Sequence, residues 1–483
     1  MTSFLTALAI LIGGYFIYGA FVEKVFGIDP KRTMPAYSKR DNVDYMPLPT
    51  WKVFLIQFLN IAGLGPIFGA IMGIMFGPSA FIWIVVGTIF AGAVHDFISG
   101  AVSIRAGGES LPEIVGNELG TGIKQVMRVF SIILMVLVGA VFVSQPADLI
   151  AGITPESLDR TFWVVVIFVY YMLATILPID KLIGNLYPVF GFALLFMAVG
   201  ILGILLFGDC TIPDGFNYGL YCRHPKELPI FPMMFVSIAC GAISGFHATQ
   251  SPMMARCLKN ERLARPVFYG AMVAEGIVAL IWAAAAIAFT GGYDGLTQYM
   301  AQHGNNAGAL VNELSRSWFG SFGSILALLG VVAAPITTGD TALRSARLIA
   351  ADFLKFDQSG ILKRLVVSVP IFVLTFLVMM IDFSVLWRYF AWCNQTLAVF
   401  TLWAVTVYLA RKKKLYIITL IPAMFMSAVS VSYILYAPRP EGFGLDYPVA
   451  VGAGCMVAIA MFIMFLNYMR RIANGKIKRE FSY

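Results

Sequence analysis

The residues of this sequence that could carry a proton, a cation or an anion are few, and they sit inside apolar runs. "AGAVHDF" holds His95 and Asp96, "SGFHATQSP" holds His247 and Gln250, "GAMVAEGIVAL" holds Glu275, and "APITTGDTALRSAR" holds Thr337, Thr338 and Asp340. A buried carboxylate beside an imidazole suits proton coupling, because desolvation and the neighbouring charge move it in opposite directions toward the working pH. His95, Asp96, Glu275 and Asp340 are therefore the candidate H⁺ groups. Hydroxyl and carbonyl oxygens instead suit Na⁺, which points to Thr337 and Thr338 with the carbonyls near Ala62 and Gly63. Each group also has a plainer reading. The threonines can bond back to their own helix, Asp340 can pair with Arg344 four residues on, and Asp96 can be held by a Lys or Arg. No H-E-x-x-H and no Gly-x-Ser-x-Gly occurs, so a membrane-embedded enzyme lacks its machinery, and no cofactor is expected beyond a coupling ion.

These residues must be placed by helices, two of which are written to break. In "IAGLGPIFGAIMG", Pro66 removes a backbone donor and the glycines weaken the helix, so unwinding is expected at Gly63, Leu64, Gly65 and Pro66. "FPMMFVSIACGAISGFHATQSPMMARC" carries Gly241, Gly245, His247, Thr249, Gln250, Ser251 and Pro252 and should be discontinuous too. Unwound backbone at membrane depth is tolerated where it is buried in protein or lines a cavity. Ser244, Gly245, Phe246, His247 and Gln250 thus join the first break as candidate substrate contacts. In "GTIFAGAVHDFISGAVS", Thr88, Gly92, His95, Ser99 and Ser103 share one face, which equally suits close helix packing. "VLWRYFAWCNQTLAVF" adds Arg388, Asn394 and Gln395, with Asn394 a substrate contact or interhelical glue.

Composition sets the surroundings: 59% of the 483 residues are hydrophobic and 12% charged. Thirteen apolar runs, near 3–21, 52–77, 79–104, 127–150, 161–178, 184–207, 230–250, 266–291, 320–344, 364–382, 385–410, 415–436 and 446–469, approach the roughly 20 residues that cross a bilayer. The chain reads as an all-α polytopic membrane protein. The first run lacks a positive flank and reads as a retained helix. With the N-terminus outside and the C-terminus cytoplasmic, all but six of the 34 Lys and Arg fall in cytoplasmic loops. The exceptions are Arg160, Arg223, Lys226, Arg316, Arg439 and the intrahelical Arg388. The net charge of +8 is then a topology signal and calls for no nucleic acid. Cys210 and Cys222 share one outside loop, either as free thiols or as a bridge formed in an oxidising compartment.

The breaks fall in the second and seventh runs, oppositely directed and five helices apart. This makes 52–207 and 230–410 inverted repeats, with 208–229 an outside loop between them. An extra N-terminal helix and loop (1–51) precede them, and two C-terminal helices with a basic tail (411–483) follow. Paired interrupted helices mark a transporter's midplane site.

"GLGPIFGAIMG", "AGAVHDF", "SGFHATQSP", "APITTGDTALRSAR" and "WCNQTLAVF" together resemble the carbon starvation protein A family of bacteria and archaea. The resemblance implies the LeuT-type arrangement of five plus five inverted helices. It also implies secondary active uptake of small peptides across the plasma membrane during carbon starvation, or of pyruvate as in close relatives. Longer members carry additional C-terminal sequence. The expected partner is a small carboxylate-bearing substrate, held by the freed backbone groups near Gly63 to Pro66, where a half-helix N-terminus offers about half a positive charge. A passive channel is the weaker alternative. Oligomeric state is not readable.

Overall fold

The computed structural model describes residues 1–152, 154–176, 183–358, 360–381 and 383–474. Residues 177–178 of the fifth run and the tail from 475 lie outside the described residues. The elements found are helices. In chain order the principal ones are α1 (Thr2–Phe26), α2a (Thr50–Ala62), α2b (Gly65–Ile74), α3 (Ser79–Arg105), α4 (Thr121–Ala151), α5 (Arg160–Ile176) and α6 (Ile183–Phe207). There follow α7a (Phe235–Ile238), α7b (Gly245–Ala255), α8 (Gly270–Phe289), α9 (Ala333–Leu354), α10 (Ile361–Val378), α11 (Phe383–Arg411), α12 (Ile417–Tyr436) and α13 (Tyr447–Ala473).

Among the described residues, ten helices are long and apolar enough to cross a membrane, and α2a with α2b makes an eleventh as a pair bent by 52°. Two of the thirteen expected runs do not reach that standard. The 161–178 run gives a shorter apolar helix. The 320–344 run is divided between Ala307–Ala327 and α9, which carries Asp340, Arg344 and Arg347.

Burial sorts the helices. The most apolar window of α11 is 89% buried and that of α3 83%, against 28% for α1 and 22% for α13. The poorly buried helices present Phe16, Ile17, Met456 and Met464, apolar side chains that lipid rather than water would cover.

Both expected breaks are present, the first narrower than expected, since Gly63 and Leu64 lie between the helices while Gly65 and Pro66 already begin α2b, and the glycines divide the labour. Gly63 alone of the first cluster takes a positive φ, +42°, which an L side chain resists. Gly65, Gly69 and Gly73 recur every fourth residue and form the face of α2b that meets the second broken helix. A Cβ on Gly65 would lie 2.2 Å from Cys240 Cβ, on Gly69 2.9 Å from the Ser237 carbonyl, and on Gly73 2.2 Å from Ile238 Cγ1. Small residues at this spacing let two helices approach without a hydrophobic driving force. In α3, Gly92 does the same, its Cβ position 2.2 Å from the Ala242 carbonyl.

At one end of the bundle, a strap at residues 41–49 crosses the helix ends. Asp41 Oδ1 gathers the amides of Val43, Asp44 and Tyr45 at 2.8–2.9 Å, turning the chain so that Asp44 faces α9. Arg344 Nη1 donates to Asp44 Oδ1 at 3.1 Å, and Arg347 Nη2 lies 3.9 Å from Oδ2. Burial alone would raise the Asp44 carboxyl, but Arg344, Arg347 and Arg256 outweigh it and hold it below its ordinary 3.8. A depressed folded-state pKa contributes stability above the unfolded value and loses it as pH falls through the folded one. The strap therefore stays bonded at neutral pH.

Gly65→Ala should destabilise the protein by about 1–3 kcal/mol, since a backbone-anchored Cβ meets another. Cys240→Gly should restore most of that loss in the double variant. Thermal unfolding in detergent measures both, and independent, additive losses would remove the contact.

Candidate functional site

The break in α7 is satisfied by side chains from two other helices. The chain passes through a tight turn at Ala239–Gly241 and an extended Ser244 before α7b begins. Asn394 of α11 closes it: its Oδ1 accepts from Ser244 Oγ at 2.9 Å and from the Phe246 amide at 2.7 Å, and its Nδ2 donates to Cys240 Sγ at 3.2 Å. Gln395 Nε2 donates to the Ile243 carbonyl at 3.0 Å, and Thr88 Oγ1 to that of Gly241 at 3.1 Å. Freed backbone groups away from water need such partners. Ser244, Phe246 and Asn394, expected as substrate contacts, thus bond one another here, and an amide oxygen occupies the α7b N-terminus. Gly245 is there for packing, its Cβ position 2.3 Å from the Ala398 nitrogen of α11.

One turn into α7b the ionisable residues converge. Asp96 Oδ1 lies 2.7 Å from His95 Nδ1 and Oδ2 lies 2.8 Å from His247 Nδ1. His247 Nε2 then faces Glu275 Oε2 of α8 at 3.5 Å, within ion-pair reach but not aligned as a hydrogen bond. All four side chains are fully buried. With Asp96 ionised, both Nδ1 atoms must carry hydrogens to bond it, which leaves each Nε2 as the free position of its ring. His247 is the bridge: one ring nitrogen addresses each carboxyl. The sequence placed His95 beside Asp96 but kept His247 and Glu275 on separate helices; the fold makes one chain of four.

The remaining candidates separate into other places. Thr338 Oγ1 donates to the Leu59 carbonyl of α2a at 2.8 Å and to Ala334 at 3.0 Å. Its partner in α2a is thus one turn before the expected Ala62, although a Cβ on Gly63 would sit 3.5 Å from this hydroxyl. Thr337 Oγ1 bonds back to Ala334 at 2.7 Å. Asp340 accepts from the hydroxyls of Tyr170, at 2.7 Å, and Tyr187. Arg344 reaches the strap, so the expected Asp340–Arg344 pair is replaced by two tyrosines. Leu64 and Pro66 are fully buried at the first break. Gln250 Nε2 bonds Thr249 Oγ1 at 2.9 Å, while its Oε1 is buried without a hydrogen-bond partner. Cys210 and Cys222 are free thiols, with Cys222 Sγ donating to the Leu228 carbonyl at 3.0 Å.

A family model for carbon starvation protein CstA matches residues 1–157 and 147–321. The chain belongs to the CstA family. It is 42% identical over 338 residues to an uncharacterized membrane protein of Haemophilus influenzae, covering 60% of this chain and 91% of that one. It is 30% identical over 341 residues to the peptide transporter CstA of Campylobacter jejuni and 27% identical over 342 residues to the pyruvate/proton symporter BtsT of Escherichia coli. Each of those alignments takes in 57% of this chain, and 48% and 47% of the relative, so the chain spans about half the length of these two relatives. Among solved structures, MhsT in complex with L-phenylalanine superposes with a TM-score of 0.53 at 14% identity, over 84% of this chain and 98% of that one. A manganese transporter of Eremococcus coleocola gives 0.51 at 13% identity, over 89% and 99%. The fold of this CstA-family chain is the LeuT-type arrangement.

Two residues of the site escaped the sequence reading. Gln57 of α2a is fully buried with neither amide atom hydrogen-bonded, and Asn60, three residues on, takes Thr341 Oγ1 at 3.2 Å and leaves its Nδ2 unpartnered. Both lie in "VFLIQFLNIAG", where two amides at helical spacing in an apolar run were the available signal.

Asn394→Leu should cost about 2–4 kcal/mol, because Ser244 Oγ and the Phe246 amide lose their buried acceptor together. The measurement is thermal unfolding of the purified protein, with Asn394→Asp, which keeps the acceptor oxygen, expected to retain more stability.

Proposed function

We propose that this protein is a secondary active transporter of a small carboxylate-bearing substrate, a short peptide, coupled to protons through His95, Asp96, His247 and Glu275. The observation that carries it is the meeting of two interrupted helices, α2 and α7, beside a buried chain of two carboxyls joined by an imidazole. A buried ionisable set of this kind is costly and is retained where it faces a pathway or a partner. Relatives named for peptide transport support the peptide reading, and the E. coli relative named as a pyruvate/proton symporter supports both pyruvate as the second reading and proton coupling.

The pathway in this reading runs between the α2 and α7 breaks. Gln57, Asn60 and Gln250 offer unused polar atoms to a substrate, and Leu64 and Pro66 form its apolar wall. Substrate arriving with its carboxylate at α7b would displace Asn394 Oδ1 from the Phe246 amide. Binding there is thereby tied to loosening the contact between α7 and α11. The protein sits in the bacterial plasma membrane with its N-terminus outside and its C-terminus in the cytoplasm. It uses no cofactor and performs no chemistry on the substrate. Na⁺ coupling through Thr337 and Thr338 is the rival within this reading.

Proteoliposome uptake of labelled dipeptides and of pyruvate, under imposed H⁺ or Na⁺ gradients, tests the assignment. Uptake should follow the pH gradient and accumulate substrate against its own gradient, which a channel cannot do. Asp96→Asn and Glu275→Gln should abolish gradient-driven uptake while substrate exchange persists. Uptake that follows Na⁺ at constant pH, ignores a pH gradient, and needs more Na⁺ in Thr338→Val would replace the proton reading with the sodium one.

A further inference from the structure

The strap carboxylate Asp44 enters a site with more cation than it can neutralise. Arg344 and Arg347 are among the largest fully buried side chains of the protein, and Arg256 and Arg364 are each less than 10% exposed. Arg344, Arg347 and Arg256 all act on Asp44 electrostatically, and Arg347 also feels Arg364. Facing these four guanidinium groups, among the described residues, are Asp44, whose side chain is 15% exposed, the buried Asp340, which Arg344 also feels, and Asp352, acting on Arg256 from the rim. Arg256 is further occupied: its Nε donates to the Gly108 carbonyl at 2.9 Å and its guanidinium lies 4.9 Å from the Tyr45 ring centre. Arg364 Nε is taken by the Gln358 carbonyl at 2.8 Å.

Arg347 is the exception. Its Nη1 donates to Gln358 Oε1 at 2.7 Å, but Nε and Nη2 are buried without hydrogen-bond partners, and Nη2 stops 3.9 Å short of Asp44. A buried guanidinium with unused donors is costly unless an anion completes it. The strap supplies a carboxylate that is well placed for Arg344 and too distant for Arg347. A freely moving carboxylate could satisfy both, since a guanidinium presents two parallel N–H bonds to such a group.

We infer that Arg344 and Arg347 form an anion site, specific in chemistry for a carboxylate, at the end of the bundle assigned to the cytoplasm, and that Asp44 is its built-in occupant in this closed form. The inference rests on the transport reading in taking the substrate's own carboxylate as the competing ligand. Strap and substrate then exclude one another. Arrival of substrate from the pathway lifts residues 41–49, and departure of substrate lets Asp44 return and reseal the mouth. The bonds that tie the strap elsewhere, Leu48 N to the Cys257 carbonyl at 3.1 Å and Tyr45 Oη to that of Gly107 at 3.4 Å, make it a hinged flap rather than a loose loop.

The test uses the full chain in lipid nanodiscs, titrated with sodium pyruvate or sodium sulfate against sodium chloride at equal ionic strength. Asp44→Asn should unfold at a lower temperature than the wild type in chloride. Pyruvate should raise that temperature more than it raises the wild type's, and Asp44→Asn/Arg347→Gln should lose the excess. Pyruvate alone producing the excess supports the carboxylate site; sulfate producing the same excess overturns its specificity for a carboxylate. In the wild type, pyruvate should speed amide hydrogen exchange at residues 41–49, and this readout decides if Asp44→Asn does not fold. No excess shift with either anion, an excess that survives Arg347→Gln, or unchanged exchange in the strap would overturn the inference. None of these readouts needs transport, so their failure leaves the uptake assignment standing, and absent uptake with intact anion shifts would do the reverse.

Discussion

A peptide group freed inside a membrane must find a partner within the protein, and this requirement shapes the centre of the molecule. The α7 helix stops at Ile238 and resumes at Gly245, leaving carbonyls and amides in a region where no water is assured. Asn394, Gln395 and Thr88 meet them from two directions. Those side chains reach the break because α3 and α11 come in against bare backbone, at Gly92 and Gly245 respectively. The close approach of three helices and the satisfaction of the break are one constraint: a Cβ at either glycine would push away the helix that carries the needed hydrogen bonds.

The same closeness creates the ionisable chain. Asp96 lies one turn past Gly92 on α3, and His247 lies two residues past Gly245 on α7b. The glycine contacts that fix the break therefore also fix the 2.8 Å bond between Asp96 and His247. Glu275 is set by its own neighbour, since Gly276 lies against Thr88, the residue that bonds Gly241. Packing, backbone satisfaction and the buried proton-bearing groups thus share residues. A change in helix contact during transport would alter all three together.

Much of this was legible in the sequence, and what was missed has a physical reason. The apolar runs, the two breaks and the candidate ionisable residues could be read because each is a local departure from composition. Glycine was harder to read, as it serves both for unusual φ and for close contact: of the first cluster, Gly63 takes the positive φ and Gly65, Gly69 and Gly73 make the contact. The spacing of four was visible, but without the partner helix it could not be told from mere helix weakening. Pairings between distant segments were the least accessible. Asp340 has Arg344 four residues away, a favourable spacing on one helix, yet two tyrosines from α5 and α6 and a strap aspartate some 300 residues away take the two charges apart.

The two ends of the bundle are held by unequal locks. At the end assigned to the outside, a cavity of about 190 Å³ is lined by Met72, Phe76, Lys226, Ser237, Arg388 and Glu441, among others. Arg388 pairs there with Glu441, and its side chain is 38% exposed, a setting in which an ion pair contributes little. The His224 ring lies 4.6 Å from that of Phe76, tilted by 36°, and burial together with Lys226 pushes its imidazole down to about 4, so it adds no charge at neutral pH. At the other end, Asp44 is bonded to Arg344, whose side chain is 1% exposed, and breaking that pair strands buried charge. The asymmetry favours a protein that rests closed toward the strap and opens more readily at the Arg388 mouth. Opening the strap end then requires something to replace Asp44, and in the proposed transport reading the substrate's own carboxylate is that replacement.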